Sequence, residues 1–311
     1  MSPQLKIAVL LSTYNGEKFL REQLDSLLAQ SHENFILVVR DDGSHDGTVS
    51  ILESYARDYS ERIRLLPRDG ENKGASAGFA FLVDYILKNK ETLGLNSAYM
   101  MFCDQDDIWY PQKIEKQLSL MLKTEADYDS TLPILVHSDL EVVSEQNTAI
   151  AKSLINYQGL DVERNSFPNL LTNNLVTGCA TLINQSLAEK ALPIPGAAVM
   201  HDWWLALVAA AFGKVVYLDI PLVHYRQHKN NTFGAKEHTK ASVVSMSFWR
   251  RMPSRESNEY LSEVSVQAAE FHSLYGLQLS VRERLSLQLC MAMGAKSGIV
   301  QHLMYRLARR L

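Results

Sequence analysis

The chain has 311 residues, 46% of them hydrophobic and 21% charged, which is the balance of a folded globular protein and not of a disordered one. Its formal net charge of -4 gives no global argument for a nucleic-acid partner. Cys103, Cys179 and Cys290 are scattered and odd in number, which fits a reducing compartment and excludes a disulfide framework.

The chain order begins with a strand. Residues 1–6 lead straight into it without a secretory leader, so a cytoplasmic protein is expected, attached at most to the inner face of the plasma membrane. No window approaches the roughly 20 apolar residues of a bilayer span. Residues 7–11 are the first apolar run, followed by Ser12-Thr13-Tyr14-Asn15-Gly16. A helical pattern starts at Glu17, with Leu20, Leu24, Leu27 and Leu28 on one face. Residues 35–39 read as a second strand, ending in Arg40-Asp41-Asp42-Gly43-Ser44, and Asp46 caps the helix carrying Val49, Leu52 and Tyr55. Residues 63–66 are a third strand, 70–78 a glycine-bearing loop, and 79–87 a helix. Residues 99–103 are a fourth strand, running into Asp104, Gln105, Asp106 and Asp107, with Pro111 at the head of the next helix. Apolar strands alternating with helices predict an α/β fold with a mostly parallel central sheet and helices on both faces.

Ligands of such sheets bind at the carboxyl ends of the strands. Three of the four strands end there in polar groups: Ser12-Thr13-Tyr14, Asp41-Asp42, and the carboxylates 104–107. Carboxylates packed this densely repel one another, and a divalent cation carrying a diphosphate relieves that; a solvated acidic turn capping the next helix is the alternative. Neither a phosphate loop with Gly-Lys-Ser/Thr nor a Gly-x-Gly-x-x-Gly turn is present. The pattern suggests a nucleotide held without a phosphate loop, with metal carrying its charge.

Ser-Thr-Tyr-Asn-Gly, Asp-Asp-Gly-Ser-His-Asp-Gly-Thr and Asp-Gln-Asp-Asp-Ile-Trp, in this order and spacing, resemble family 2 glycosyltransferases of the GT-A fold over about residues 5–235. The third motif, with Tyr225-Arg226-Gln227-His228, is similar to the bacterial rhamnosyltransferases that build surface polysaccharides such as O-antigen. The resemblance implies that Ser12, Tyr14 and Asp42 contact base and ribose, with Asp41 beside them. It implies Asp106 as a metal ligand, Asp104 reaching metal or ribose, and His228 closing on the diphosphate or the metal. Asn72-Lys73-Gly74 matches a loop near the nucleotide; no arginine follows it, so Lys73 either supplies the positive charge or is a solvated lysine. The implied cofactor is Mg²⁺ or Mn²⁺, and the implied partners are a nucleoside-diphosphate sugar, dTDP-L-rhamnose foremost, and a lipid-linked saccharide acceptor.

Further along, residues 134–136 are a strand ending in His137-Ser138-Asp139, residues 144–170 read as an acceptor-side insertion, and Gly178 precedes the strand 181–183. Met200-His201-Asp202-Trp203-Trp204 opens a helix with Trp204, Leu207, Val208 and Ala211 as its buried stripe. Asp202 in that first turn is either a cap or, as the resemblance implies, the catalytic base of an inverting transfer. Trp203 is a candidate to stack on a sugar. Residues 214–218 form another strand, followed by His224, a structural histidine, and Arg226, a candidate partner for phosphate. The domain expectation is a transferase domain over 1–235 and a helical C-terminal extension over 236–311. The basic amphipathic end, 302–311, either lies on an anionic membrane surface or packs with its arginines in water. The rival readings are a sugar nucleotidyltransferase, disfavoured because Ser12–Gly16 lacks its glycine-rich loop with Arg and Lys, and a non-catalytic sugar-binding protein, for which Asp202 has no use.

Overall fold

The computed structural model describes residues 5–68, 70–229, 255–294 and 298–308. Four apolar runs become parallel strands: β1 (Ile7–Thr13), β2 (Phe35–Asp41), β3 (Ile63–Leu65) and β4 (Met100–Cys103). Period-2 alternation divides β1 between two cores. Ala8 and Leu10 face one, Ile7, Val9 and Leu11 the other, and both are sealed. Leu20, Leu24 and Leu27 of α1 (Leu20–Leu28), Ile51 and Leu52 of α2 (Thr48–Asp58), and Ile114, Leu118 and Met121 of α4 (Lys113–Asp127) cover the second face. The first is covered by Phe79, Leu82, Val83 and Ile86 of α3 (Gly74–Asn89) together with α7 (Gln185–Ala191) and α8 (His201–Phe212).

The nine-stranded sheet has the order β3-β2-β1-β4-β8-β6-β9-β5, with β7 (Ala149–Ala151) pairing β6 (Ile134–Ser144). β8 (Thr181–Ile183) is antiparallel between β4 and β6, β9 (Lys214–Gln227) is parallel to β6, and β5 (Ile108–Trp109) is antiparallel on β9. The mixed sheet is thus mostly parallel and covered on both faces, as expected.

Several boundaries differ from the sequence reading. α1 starts at Leu20 rather than Glu17, because 17–19 are spent on a turn closed by Gly16 O. α3 starts at Gly74, whose φ of 75° glycine accommodates and whose N–H is taken by Asp42. β6 does not end before His137 but runs on to Ser144. β9 pairs with it throughout as one strand instead of two, absorbing Pro221 by register shifts around Asp139. The 144–170 stretch contains β7, α5 (Leu154–Gln158) and α6 (Phe167–Leu170); Ser153 caps α5 through Asn156 N at 3.0 Å and Gly159, at φ 64°, ends it.

Among the described residues three helices follow: α9 (Arg255–Tyr275), α10 (Val281–Met291) and α11 (Gly298–Ala308). They explain why α8 is buried at nine consecutive positions, 201–209, when an amphipathic stripe was expected. The sheet takes one side of α8 and α9 the other, with Phe271 5.2 Å from Trp204, ring to ring, and no side-chain exposure. Burying one such phenylalanine contributes about 1.5–3 kcal/mol, so core packing holds the C-terminal helices on. Tyr260 and Tyr275 add hydrogen bonds to Thr172 O (3.1 Å) and Lys190 O (2.7 Å). The expected domain boundary at 235/236 lies outside the described residues, and the helices beyond it join the first core.

Candidate active site

Register brings the strand ends together: Thr13 lies opposite Asp41 and Leu11 opposite Cys103. The loops leaving β1 and β2 are stitched to one another. Asn15 N donates to Ser44 Oγ (2.9 Å), His45 N to Asn15 Oδ1 (2.9 Å) and Gly16 N to Thr48 Oγ1 (2.8 Å). Asp46, one residue before the N-cap Gly47, accepts from Thr48 N at the first residue of α2. Asp41 accepts from Thr13 Oγ1 (3.0 Å), Ser44 Oγ (2.6 Å) and Ser44 N (2.9 Å), so its carboxylate shapes this loop. Asp42 accepts from Lys73 N and Gly74 N (2.8 Å each) and pairs with buried Arg40, tying the end of β2 to the start of α3. The Lys73 ammonium pairs with Glu71. Tyr14 presents an exposed ring, and Ser12 Oγ points at Gly78, where a Cβ would stand 2.8 Å away.

The acidic turn after β4 is braced from two directions. Gln105 returns its amide to Tyr14, accepting from Tyr14 N (2.9 Å) and donating to Tyr14 O (3.0 Å). A Cβ on Gly16 would sit 2.3 Å from Gln105 Oε1, so glycine there makes room for the brace. From the other side Arg226 donates through Nε to Asp106 O (2.8 Å), through Nη1 to Glu145 O (2.8 Å) and through Nη2 to Glu22 (2.6 Å), its guanidinium lying over Phe19. The expectation that Arg226 neutralises phosphate gives way to this bracing role, since the side chain is buried. His224 bonds Asn147 at 3.0 Å and packs edge-on to Tyr110, a structural histidine as expected. His228 Nε2 lies 2.7 Å from Asp106 Oδ2, and its ring stacks on Phe19.

Charge accumulates here. Burial, then the charges of Asp106 and Asp202, push the Asp104 carboxyl up to about 7. Burial, then Asp106 and Asp104, hold Asp107 well above the ordinary carboxyl range. Asp107 Oδ1 accepts from Arg226 N (3.1 Å), while the buried Oδ2 has no hydrogen-bond partner among the described residues. Ligand atoms of Asp104, Asp107 and Cys179 lie within 4.8 Å of one another. Lys113, wholly buried, donates to Gln117 Oε1 (2.7 Å) over the Trp109 ring, and burial brings its pKa down to about 7. Crowded oxygen donors, raised carboxyls and an orphaned buried oxygen fit a hard divalent cation. Of the three expected ligands, Asp106 and His228 bond each other, and Asp104 lies beside Asp107 and Cys179.

Asp202 meets this turn from α8. Its carboxylate accepts from Trp203 N (2.6 Å), from Gly178 N–H, and from Asn174 Nδ2 (3.4 Å). Gly178 allows that approach, for a Cβ there would lie 3.1 Å from His201 Nε2 and 3.5 Å from Asp202 Oδ2. Burial raises the Asp202 pKa to about 6, against those stabilising bonds. His201 packs between Phe79 and Phe102, and burial drops its pKa to about 3, which keeps it neutral. Trp203 is not free to stack on a sugar: it is buried, donates to Leu170 O (2.6 Å) and lies along Tyr260, so both paired tryptophans are core.

Asp104, Asp106, His228 and Asp202 therefore converge on the strand edge that carries Ser12, Tyr14 and Asp42, and Lys73 stands beside Asp42. Gln105, Asp107, Cys179 and Asn174 were not identified as site residues from sequence. The Gln105 brace links positions 91 residues apart, which no local pattern reveals.

The family model described as Glycosyl transferase family 2 matches residues 8–189. A dTDP-rhamnosyl transferase, RfbG of Shigella flexneri, is 29% identical over 234 residues, covering 74% of this chain and 76% of that protein. Against two rickettsial glycosyltransferases the chain spans 52% of the relative's length. Among solved structures, S. aureus TarS 1-349 in complex with UDP-GlcNAc superposes with a TM-score of 0.55 at 14% identity, covering 98% of this chain and 91% of that one. The mannosyltransferase PcManGT from Pyrobaculum calidifontis, with GDP-Man and Mn²⁺, gives 0.54 at 16%, covering 99% and 87%. At these identities the structural likeness establishes the fold, which is that of the GT-A transferases.

Proposed function

The chain belongs to glycosyl transferase family 2, and from that premise we propose that it moves L-rhamnose from dTDP-L-rhamnose, with inversion, onto a lipid-linked saccharide of a surface polysaccharide such as O-antigen. That it is a glycosyltransferase follows from the family; the sugar, the acceptor and the metal are proposed. The observation that carries the mechanism is Asp202, a buried carboxylate fixed by Gly178 and Trp203 whose charge is felt at Asp104. Asp202 takes the proton of the acceptor hydroxyl as that oxygen forms its bond to the anomeric carbon and the bond to the diphosphate breaks. Ser12, Tyr14, Asp42 and Lys73 line the nucleotide side, with Asp41 shaping the loop behind them. Asp104 and Asp106, with His228, would hold Mg²⁺ or Mn²⁺, which neutralises diphosphate charge when bound. The Shigella relative supports the choice of donor.

A thermal-shift panel of dTDP-L-rhamnose, UDP-sugars and GDP-sugars, with and without Mg²⁺ or Mn²⁺, tests this. A ligand at a hundredfold excess over its Kd stabilises by about 2.7 kcal/mol, so the true donor stands out. The largest shift is expected for dTDP-L-rhamnose with metal; a larger shift with another nucleotide sugar reassigns the donor, and none with any overturns the proposed donor and metal site.

The pH dependence has a definite sign. Asp202 works as a base only when ionised, so activity is present above its raised pKa and lost as pH falls through about 6. The acid limb of kcat/KM is expected there with unit slope, well above the ordinary 3.8 of a carboxyl.

A membrane-bound acceptor is consistent with the exposed Leu303, Arg306 and Leu307 on α11, while Arg309 and Arg310 of the basic end lie outside the described residues. No described helix is long and apolar enough to cross a bilayer.

A further inference from the structure

The turn joining α9 to α10 exposes aliphatic side chains that no core contact explains. Leu277, in the 3-10 turn Gly276–Gln278, is 98% exposed, and Val281 at the head of α10 is 74% exposed. Leu274, one turn before on α9, and Leu285, one turn after Val281 on α10, are exposed as well. Spacings of three and four residues put Leu274 beside Leu277 and Val281 beside Leu285. The backbone beneath is firm. Tyr275 and Leu279 are buried, Tyr275 donates to Lys190 O, and Ser280 and Glu283 form a reciprocal capping box at the start of α10.

Charge in the turn leans cationic, with Glu189 and Glu270 the acids next to Lys190 and Phe271 in sequence. Between Phe271 and Gly294 the charged residues are Arg282, Glu283 and Arg284, and the glutamate is committed to Ser280 N at 2.8 Å. Lys190 of α7 donates to Gln278 at 2.6 Å, its ammonium lying over the Phe212 and Tyr275 rings. A rigid aliphatic knuckle rimmed by cations matches the headgroup zone of an anionic bilayer, where the aliphatic tips enter the acyl boundary and the cations meet lipid phosphates.

We propose that the α9–α10 turn, led by Leu277 and Val281 and flanked by Arg282 and Arg284, docks the protein on an anionic lipid surface. This contact is distinct from the basic C-terminal end and independent of which sugar is transferred. It places a transferase for a lipid-linked acceptor where that acceptor resides.

The test is cosedimentation of the full chain with vesicles of phosphatidylcholine alone or with about one third phosphatidylglycerol. Wild type is expected to bind the anionic vesicles only. The double variant Leu277→Asp/Val281→Asp should lose at least about tenfold in vesicle affinity, since each buried aliphatic group carries on the order of tenfold. Arg282→Gln/Arg284→Gln should weaken binding and flatten its salt dependence. All four positions are solvent-facing or half-buried, so unchanged thermal unfolding and donor hydrolysis in solution confirm that fold and catalysis are intact. Wild type ignoring anionic vesicles, or the aspartate variant binding like wild type, overturns the proposal. So does a dimer, seen by light scattering, that the aspartate variant dissolves without any effect on vesicles, because the knuckle is then an interface between two copies.

Discussion

Asp202→Asn is expected to lower kcat by about 10²–10⁴ while leaving the Kd for donor near its wild-type value. Asparagine keeps the size and one acceptor oxygen of the side chain, so it can still accept from Trp203 N, as Oδ1 does, and hold the start of α8. What it removes is the ionised carboxylate oxygen that receives the proton. The variant should also unfold no more readily than wild type above pH 7. The folded-state pKa of Asp202 is raised, from 3.8 to about 6, so ionisation costs the fold stability as pH rises through that window. The neutral amide avoids that cost. Transfer kinetics, isothermal titration of donor and a melting curve therefore separate a base from a mere cap: loss of a cap would lower the melting temperature and spare turnover. Near-normal turnover in the variant would assign the base to another residue.

The fold was legible because its signals are local. Continuous apolar runs at β1, β2 and β4 can only be buried on both faces, and polar residues at their ends could be placed on one sheet edge before any contact was known. Asp202 was legible as a carboxylate in a first turn. What escaped notice depends on long-range contact. Trp203 looks available for a sugar until α9 brings Tyr260 across it, and Arg226 looks free until Glu22 and Glu145 close on it. Nor does spacing separate Asp41 from Asp42. The first turns back into its own loop through Ser44, and the second reaches forward to Lys73 and Gly74. β6 was underestimated because His137, Ser138 and Asp139 look like a strand end, whereas β9 pairs with that segment and keeps it extended.

Asp106→Ala is expected to weaken metal-dependent donor binding by two orders of magnitude or so. Changing a residue that only supports a ligand costs about 10–100-fold in metal affinity, and loss of a ligand should cost no less. The hydrogen bond between Asp106 and His228 makes the outcome specific. If the two share a cation, donor titrations with Mn²⁺ should fall for Asp106→Ala and for His228→Ala alike, and metal-free nucleotide affinity should change little for either. If the pair only locks the end of β9 against Phe19, both variants should lower the melting temperature and leave the ratio of metal-loaded to metal-free affinity unchanged. Asp104 sharpens the distinction. The charge of Asp106 is the second cause of its raised pKa, after burial, so removing that charge lets Asp104 ionise more readily. Residual metal binding in Asp106→Ala should then persist to lower pH than in wild type, with Asp104 as the remaining oxygen donor. Unchanged donor affinity in the presence of metal would remove Asp106 from the metal site altogether.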